Sequence, residues 1–160
     1  MNVKYINNTL GFSVEIPAEI LDKIRQLGLE FHPREFGGIF LGKTSPNCSK
    51  ITITELVIPT EYESKPNGFT RHPHNLNDRI KDEYNRSEGE INYVGEWHTH
   101  PNGKSQFSKK DLKAMAAISA LTEVKTATPL LLIAGLTKNL YDPALYIYYQ
   151  STLQAYTNDR

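Results

Sequence analysis

The period of the apolar positions changes several times along this chain, and each change marks a predicted element. Strand-forming residues predominate over 3–6 and alternate with polar ones over 12–16, on either side of Asn7-Asn8, which predicts two short strands joined by a turn. Pro17 then opens a helix at a position where its missing N–H costs little. Ile20, Ile24 and Leu27 recur there at helical spacing and face the core, and Gly28 reads as the stop. Residues 36–43, FGGIFLGK, predict a strand whose paired Gly37 and Gly38 signal a bulge or a close backbone approach. Residues 51–58 predict a long strand with Ile51, Ile53 and Leu56 inward, and residues 59–68 a polar loop. Leu76, Ile80 and Tyr84 lie four apart and predict a helix after Pro73, ended by a turn at 87–90. A strand over 91–98 runs up to His100-Pro101, and a loop over 102–107 leads to a helix over 109–121 that presents Leu112, Met115 and Ala116. Strands over 130–136 and 144–149 close the pattern.

Helices interleaved with hairpin-connected strands predict one mixed α/β domain over residues 1–160, and the loop lengths do not suit a fully parallel, doubly wound sheet. Length and composition agree with that picture: 160 residues can bury a real core, and 39% hydrophobic with 22% charged residues is ordinary for a globular chain. The 18 basic and 18 acidic residues cancel, so nothing argues for nucleic acid or an anionic membrane as a partner. Cys48 is the only cysteine, which leaves no internal disulfide and no zinc site built on two thiolates of one chain. The N-terminus has no signal pattern, and the longest apolar run, 129–136, is too short to span a bilayer. The expected location is the cytoplasm.

The segment Trp97-His98-Thr99-His100-Pro101, followed by Ser108 and Asp111, is where chemistry concentrates. Residues two apart on a strand share a face, so His98 and His100 can present two imidazoles side by side. Asp111, near the start of the next helix, can return a carboxylate to the same point. Two histidines, one carboxylate and an open fourth position describe a catalytic zinc site. Such a site lowers the pKa of a water from ~15.7 toward ~7, and it needs a general base that is not itself a ligand. Glu35, just before Phe36-Gly37-Gly38, is the best candidate.

The string HTHPNGKSQFSKKD over 98–111, with PREFGGIFLGK over 33–43 upstream of it, resembles the signature of the JAMM (MPN-type) metallopeptidases. The resemblance implies a single MPN/JAMM-type domain, with a mixed curved sheet flanked by helices. It implies one zinc per chain held by His98, His100 and Asp111, with Glu35 as general base and then acid, and Ser108 helping to stabilise the oxyanion. The stretch VGEWHTHP over 94–101 is similar to a bacterial subgroup, the deconjugating isopeptidases of type II CBASS antiphage operons. The partner implied is a protein with an extended C-terminal tail, either a ubiquitin-like conjugate or a cGAS-like nucleotidyltransferase. The tail would lie in a groove beside the glycine strand.

Each piece also has a plainer reading. Ser108 to Asp111 is a capping box, and an Asp bound to metal is not free to cap as well. Glu35 alone is a surface carboxylate, and His98 with His100 a satisfied pair at a strand end. Their joint occurrence at the family's spacing decides for the metal. His72-Pro73-His74, followed by Asp78, is a competing ligand pair read here as capping the following helix, with Arg71 and His74 as candidate substrate contacts. Cys48 is a bystander in a turn. The tyrosines between Tyr141 and Tyr156 are core and surface of a late strand, or a partner face. Residues 60–92 and 101–107 hold the specificity loops.

Other functions remain open at this point: a processing peptidase for a small sulfur-carrier or ubiquitin-like protein, a DNA-repair-associated relative, and a non-catalytic MPN scaffold. The neutral charge and the Phe36-Gly37-Gly38-Ile39 strand argue against the repair relative, and the full ligand set argues against the scaffold. A zinc deaminase needs a Pro-Cys-x-x-Cys arm, which one cysteine excludes.

Overall fold

Residues 1–71, 74–121, 124 and 126–159 are described by a computed structural model, with His74 described by its backbone alone. In chain order they form β1 (Asn2–Asn7), β2 (Phe12–Pro17), α1 (Ala18–Phe31), β3 (Gly37–Thr44), β4 (Lys50–Val57), β5 (Tyr62–Lys65), β6 (Gly68–Arg71) and α2 (His74–Arg86). There follow β7 (Asn92–His100), α3 (Lys109–Ser119), β8 (Leu130–Leu136), β9 (Tyr141–Tyr149), β10 (Thr152–Ala155) and β11 (Thr157–Asn158). Nine strands form one mixed sheet in the order β10-β9-β8-β7-β3-β4-β2-β1-β11, and β5 and β6 form a separate hairpin. The pairs β2–β4 and β7–β8 are parallel; the latter is connected through α3.

The sheet is curved and nearly closed. Its two outermost strands, β10 and β11, are consecutive in the chain and separated by Tyr156 alone, so its two edges meet around that residue. Tyr156 N–H donates to Leu145 O at 2.8 Å and Asn7 Nδ2 donates to Ala155 O at 3.0 Å, which ties the edges together. Ile20, Ile24 and Leu27 of α1 pack in one cluster with inward residues from both ends of the sheet, including Tyr5 and Ile147. Alternate residues of β3 and β8 face the other way: Ile39 and Leu41 meet Leu76 of α2, and Leu131 and Ile133 meet Met115 of α3. β8 is therefore covered on both faces, which is why residues 130–136 read as an unbroken apolar run.

Several expectations change. Helix α1 continues past Gly28 to Phe31. Gly28 is a packing residue, because a Cβ there would lie 2.4 Å from Leu136 Cδ2 and 3.1 Å from Thr99 Cγ2. Gly37 and Gly38 mark close approach and no bulge: a Cβ would lie 2.5 Å from Trp97 O at Gly37 and 2.2 Å from Val57 O at Gly38. The bulges come later in the strand, at Phe40/Leu41 against β7 and Leu41/Gly42 against β4. The second resets the parity of β4, so Leu56 packs with Ile51 and Ile53 in the α1-facing cluster while Val57 joins the opposite one. The polar loop over 59–68 contains β5 and the start of β6, and β10 and β11 are additional strands. The hairpin forms because Tyr62 and Phe69 set their ring edges against Phe36, at centroid distances of 5.0 and 5.5 Å. The His72-Pro73 part of the competing ligand pair lies outside the described residues, as does the side chain of His74. Among the described residues, no helix is long and apolar enough to cross a membrane.

Candidate metal centre

β7 lies between β3 and β8, and its alternation sends Trp97 and Thr99 toward α1 and the histidines toward α3. His98 Nε2 and His100 Nε2 end 3.1 Å apart. Gly37 stands opposite His98 in the ladder, and a Cβ there would come within 2.8 Å of His98 Cβ, so this glycine clears the space beside the imidazole. His100 Nδ1 is 3.0 Å from Lys104 O. A carbonyl can only accept, so Nδ1 carries the proton and Nε2 presents a lone pair, the tautomer a metal ligand requires. Burial, reinforced by the neighbouring His98, holds the His100 pKa below its usual value despite Asp111 and the Lys104 carbonyl, which favours that neutral form.

Asp111 is the third residue of α3, and Ser108 is its N-cap. Asp111 Oδ1 is 3.1 Å from His98 Nε2, and Oδ2 is 3.6 Å from His100 Nε2. Oδ2 also accepts the Ser108 N–H at 2.7 Å, and Ser108 Oγ accepts the Asp111 N–H at 3.1 Å. Capping and facing the histidines are thus not exclusive, contrary to the sequence-based expectation, because each carboxylate has two oxygens and each oxygen two lone pairs. Burial pushes the Asp111 carboxyl up, but the His98 hydrogen bond and charge, the Ser108 N–H and His100 together outweigh it and hold the pKa at about 2. Removing the cap hydroxyl has a bounded cost: Ser108→Ala is expected to lower stability by about 1 kcal/mol, read as a shift in the denaturant midpoint.

One ligand atom from each of His98, His100 and Asp111 lies within 4.8 Å of the others. Two imidazole nitrogens and a carboxylate converging on one point, without a thiolate, suit a borderline divalent cation such as zinc, with His98 Nε2 giving up its proton on binding.

Glu35 stands at the edge of this group, with Oε1 3.9 Å from His100 Nε2. Burial raises its pKa, opposed by the positive charges of His98 and Lys110 and assisted by Asp111. Its place is fixed through the backbone. Glu35 N–H donates to Lys65 O at 2.7 Å, Ser64 Oγ–H donates to Glu35 O, and Phe36 N–H donates to Thr99 Oγ1 at 3.0 Å. Phe36 itself stacks on Phe31 with ring centroids 3.9 Å apart.

A cavity of about 370 Å³ opens over these groups, lined by Glu35, His98, His100, Ser108, Lys110 and Asp111 and by Phe69, Met115 and Ile118, among others. Arg71 also lines it, but its guanidinium is engaged: Nη1 lies 2.5 Å from Glu96 Oε1, and the other oxygen of Glu96 accepts the Tyr93 O–H. Burial raises the Glu96 pKa against the pull of Arg71 and Tyr93. Sequence reading used Glu96 only as part of the VGEWHTHP stretch, with no role of its own, and passed over Tyr93 and Lys110. An acidic residue inside an otherwise apolar strand, Val94-Gly95-Glu96-Trp97, was the available signal for Glu96. The 102–107 loop is pinned beside the site by Tyr146 O–H donating to Ser105 O at 2.8 Å, so this tyrosine serves the core and the loop together. Cys48 is exposed, in the turn between β3 and β4.

Residues 17–150 match the family described as prokaryotic homologs of the JAB domain. The CD-NTase/cGAS isopeptidase of Enterobacter hormaechei subsp. hoffmannii (strain UCI 50) is 26% identical over 125 residues, 78% of this chain and 68% of that protein. The solution structure of a protein from Desulfitobacterium hafniense matches with a TM-score of 0.61 at 16% identity, over 86% of this chain and 83% of that one, a likeness of fold alone.

Proposed function

The chain belongs to the prokaryotic JAB-domain family, and from that premise we propose that it is a zinc-dependent isopeptidase acting on the C-terminal tail of a conjugated protein. The observation that carries this reading is the convergence of His98, His100 and Asp111 within 4.8 Å, with Glu35 3.9 Å from His100. By analogy with the relative named a CD-NTase/cGAS isopeptidase, the reaction is the release of a cGAS-like nucleotidyltransferase from its targets; the likeness of VGEWHTHP over 94–101 to the type II CBASS isopeptidases supports a place in antiphage defence, in the bacterial cytoplasm.

His98, His100 and Asp111 would hold the zinc. Bound there, zinc supplies Lewis acidity, polarising the scissile carbonyl and lowering the pKa of a water. Glu35 takes a proton from the attacking water and later hands it to the leaving amine nitrogen. Burial, which raises its pKa, brings it closer to the range in which one carboxyl serves as base and then acid. Ser108 Oγ already accepts the Asp111 N–H, so its own hydroxyl proton is available to donate to the carbonyl oxygen as charge develops on it.

The purified protein is expected to carry one zinc per chain by elemental analysis, and His98→Ala to lose that zinc together with cleavage of tail fusions. Cleavage that persists in a metal-free protein would sink the reading. Fusions bearing the tail of a cGAS-like nucleotidyltransferase, of a small sulfur carrier and of a ubiquitin-like protein then identify the substrate. Preference for either of the last two would replace deconjugation by precursor processing.

A further inference from the structure

The groups that hold the Glu35 main chain are a separate matter from what its carboxylate does. Glu35 lies in the connection between α1 and β3, outside any regular element. A side chain on a free connection could not be held to the tolerance that proton transfer requires. Here the peptide groups on both sides of Glu35 are bonded. Lys65 O takes the Glu35 N–H at 2.7 Å, Ser64 Oγ–H donates to the Glu35 carbonyl, and Thr99 Oγ1 takes the next N–H at 3.0 Å. Thr99 stands between the two histidines on β7, so one of these bonds ties Glu35 to the ligand strand. The other two come from the end of β5.

We propose that the β5–β6 hairpin is the positioning element for Glu35 and that Ser64 is the residue through which it acts. This rests on the reading of Glu35 as the proton-transferring group. The hairpin is outside the nine-stranded sheet. It is fastened at its far end by the Arg71–Glu96 pair and along its length by Tyr62 and Phe69 against Phe36. Any residue at 65 could offer its backbone carbonyl to the Glu35 N–H. Only a hydroxyl at 64 supplies the second bond, so this half of the grip is written in the side chain. The single hydroxyl proton of Ser64 is committed to Glu35 O, which leaves Ser64 no donor for a substrate. Its loss should therefore slow turnover and spare binding, since a misplacement of about 1 Å at a reacting group costs on the order of a hundredfold.

The test uses the zinc-loaded full chain, a cleavable tail fusion, and amide hydrogen exchange across residues 34–37. Ser64→Ala is expected to lower kcat about tenfold, leave KM within about twofold, retain its zinc, and speed exchange at the Glu35 amide. Ser64→Thr, which keeps the hydroxyl, is expected to recover both kcat and protection. A wild-type kcat in Ser64→Ala, a loss carried by KM, unchanged exchange, or failure of Ser64→Thr to recover would each overturn the proposal. Glu35→Gln assayed alongside separates the two readings. If it still cleaves, the role of Glu35 falls. If it is inactive while Ser64→Ala behaves as wild type, only the role of Ser64 falls.

Discussion

Glu35→Gln is expected to reduce kcat by about a hundred- to ten-thousand-fold, the span typical for loss of a general acid–base, while the zinc stays bound. Glutamine keeps the shape of the side chain and alters none of the backbone bonds to Ser64, Lys65 and Thr99. It cannot accept a proton from water or deliver one to an amine. The proposed ligands His98, His100 and Asp111 are untouched, so metal analysis should match the wild type. In the metal-free protein, stability should not fall either. The Glu35 pKa is raised by burial, so the folded state disfavours the ionised form. A raised carboxyl pKa means stability is lost as pH climbs through it, and the uncharged glutamine escapes that loss. Full cleavage by a zinc-replete Glu35→Gln protein would remove this residue from the chemistry.

Arg71→Met is expected to cost about 3–5 kcal/mol of stability, the usual penalty for breaking a buried ion pair from one side. Methionine keeps most of the stem but withdraws the charge facing Glu96, whose side chain is only 7% exposed. The hydroxyl of Tyr93 remains as a single partner. With Arg71 in place burial already holds the Glu96 pKa above its usual value, and without Arg71 it rises further. The sign follows: the penalty is full at neutral pH and shrinks on acidification, as the orphaned carboxyl takes up a proton. Glu96→Gln in the same molecule should recover most of the loss, and denaturant midpoints of the four proteins of that cycle measure it. An Arg71→Met protein of unchanged stability and raised KM would instead make Arg71 a substrate contact, as its place beside the cavity first suggests.

How much of this was legible in the chain can be argued from individual residues. Local periodicity carried the secondary elements around the site. The strand period put His98 and His100 on one face, and the Ser108–Asp111 spacing marked the start of α3; both are properties of a few consecutive residues. Their resemblance to a known signature linked them to Glu35, far upstream. Periodicity states which face a residue takes, but it is silent on what stands opposite. Gly28 read as a helix stop because the reason for it, Leu136, is distant in sequence. The β5–β6 hairpin read as a loop because what orders it is the ring of Phe36 and the backbone of Glu35. Arg71 read as a candidate substrate contact with no sign of an ion-pair partner, because that partner, Glu96, belongs to another strand.

By itself, then, the sequence determined the candidate ligand types, their common face and the order of the elements that carry them, all fixed by backbone geometry over short spans. Only the tertiary structure decided that Asp111 caps its helix and faces the histidines at once, that the two edges of the sheet meet at Tyr156, and that a hairpin outside that sheet bonds the backbone of Glu35. Each of those depends on which groups long-range packing brings within hydrogen-bonding distance, and no local pattern encodes that.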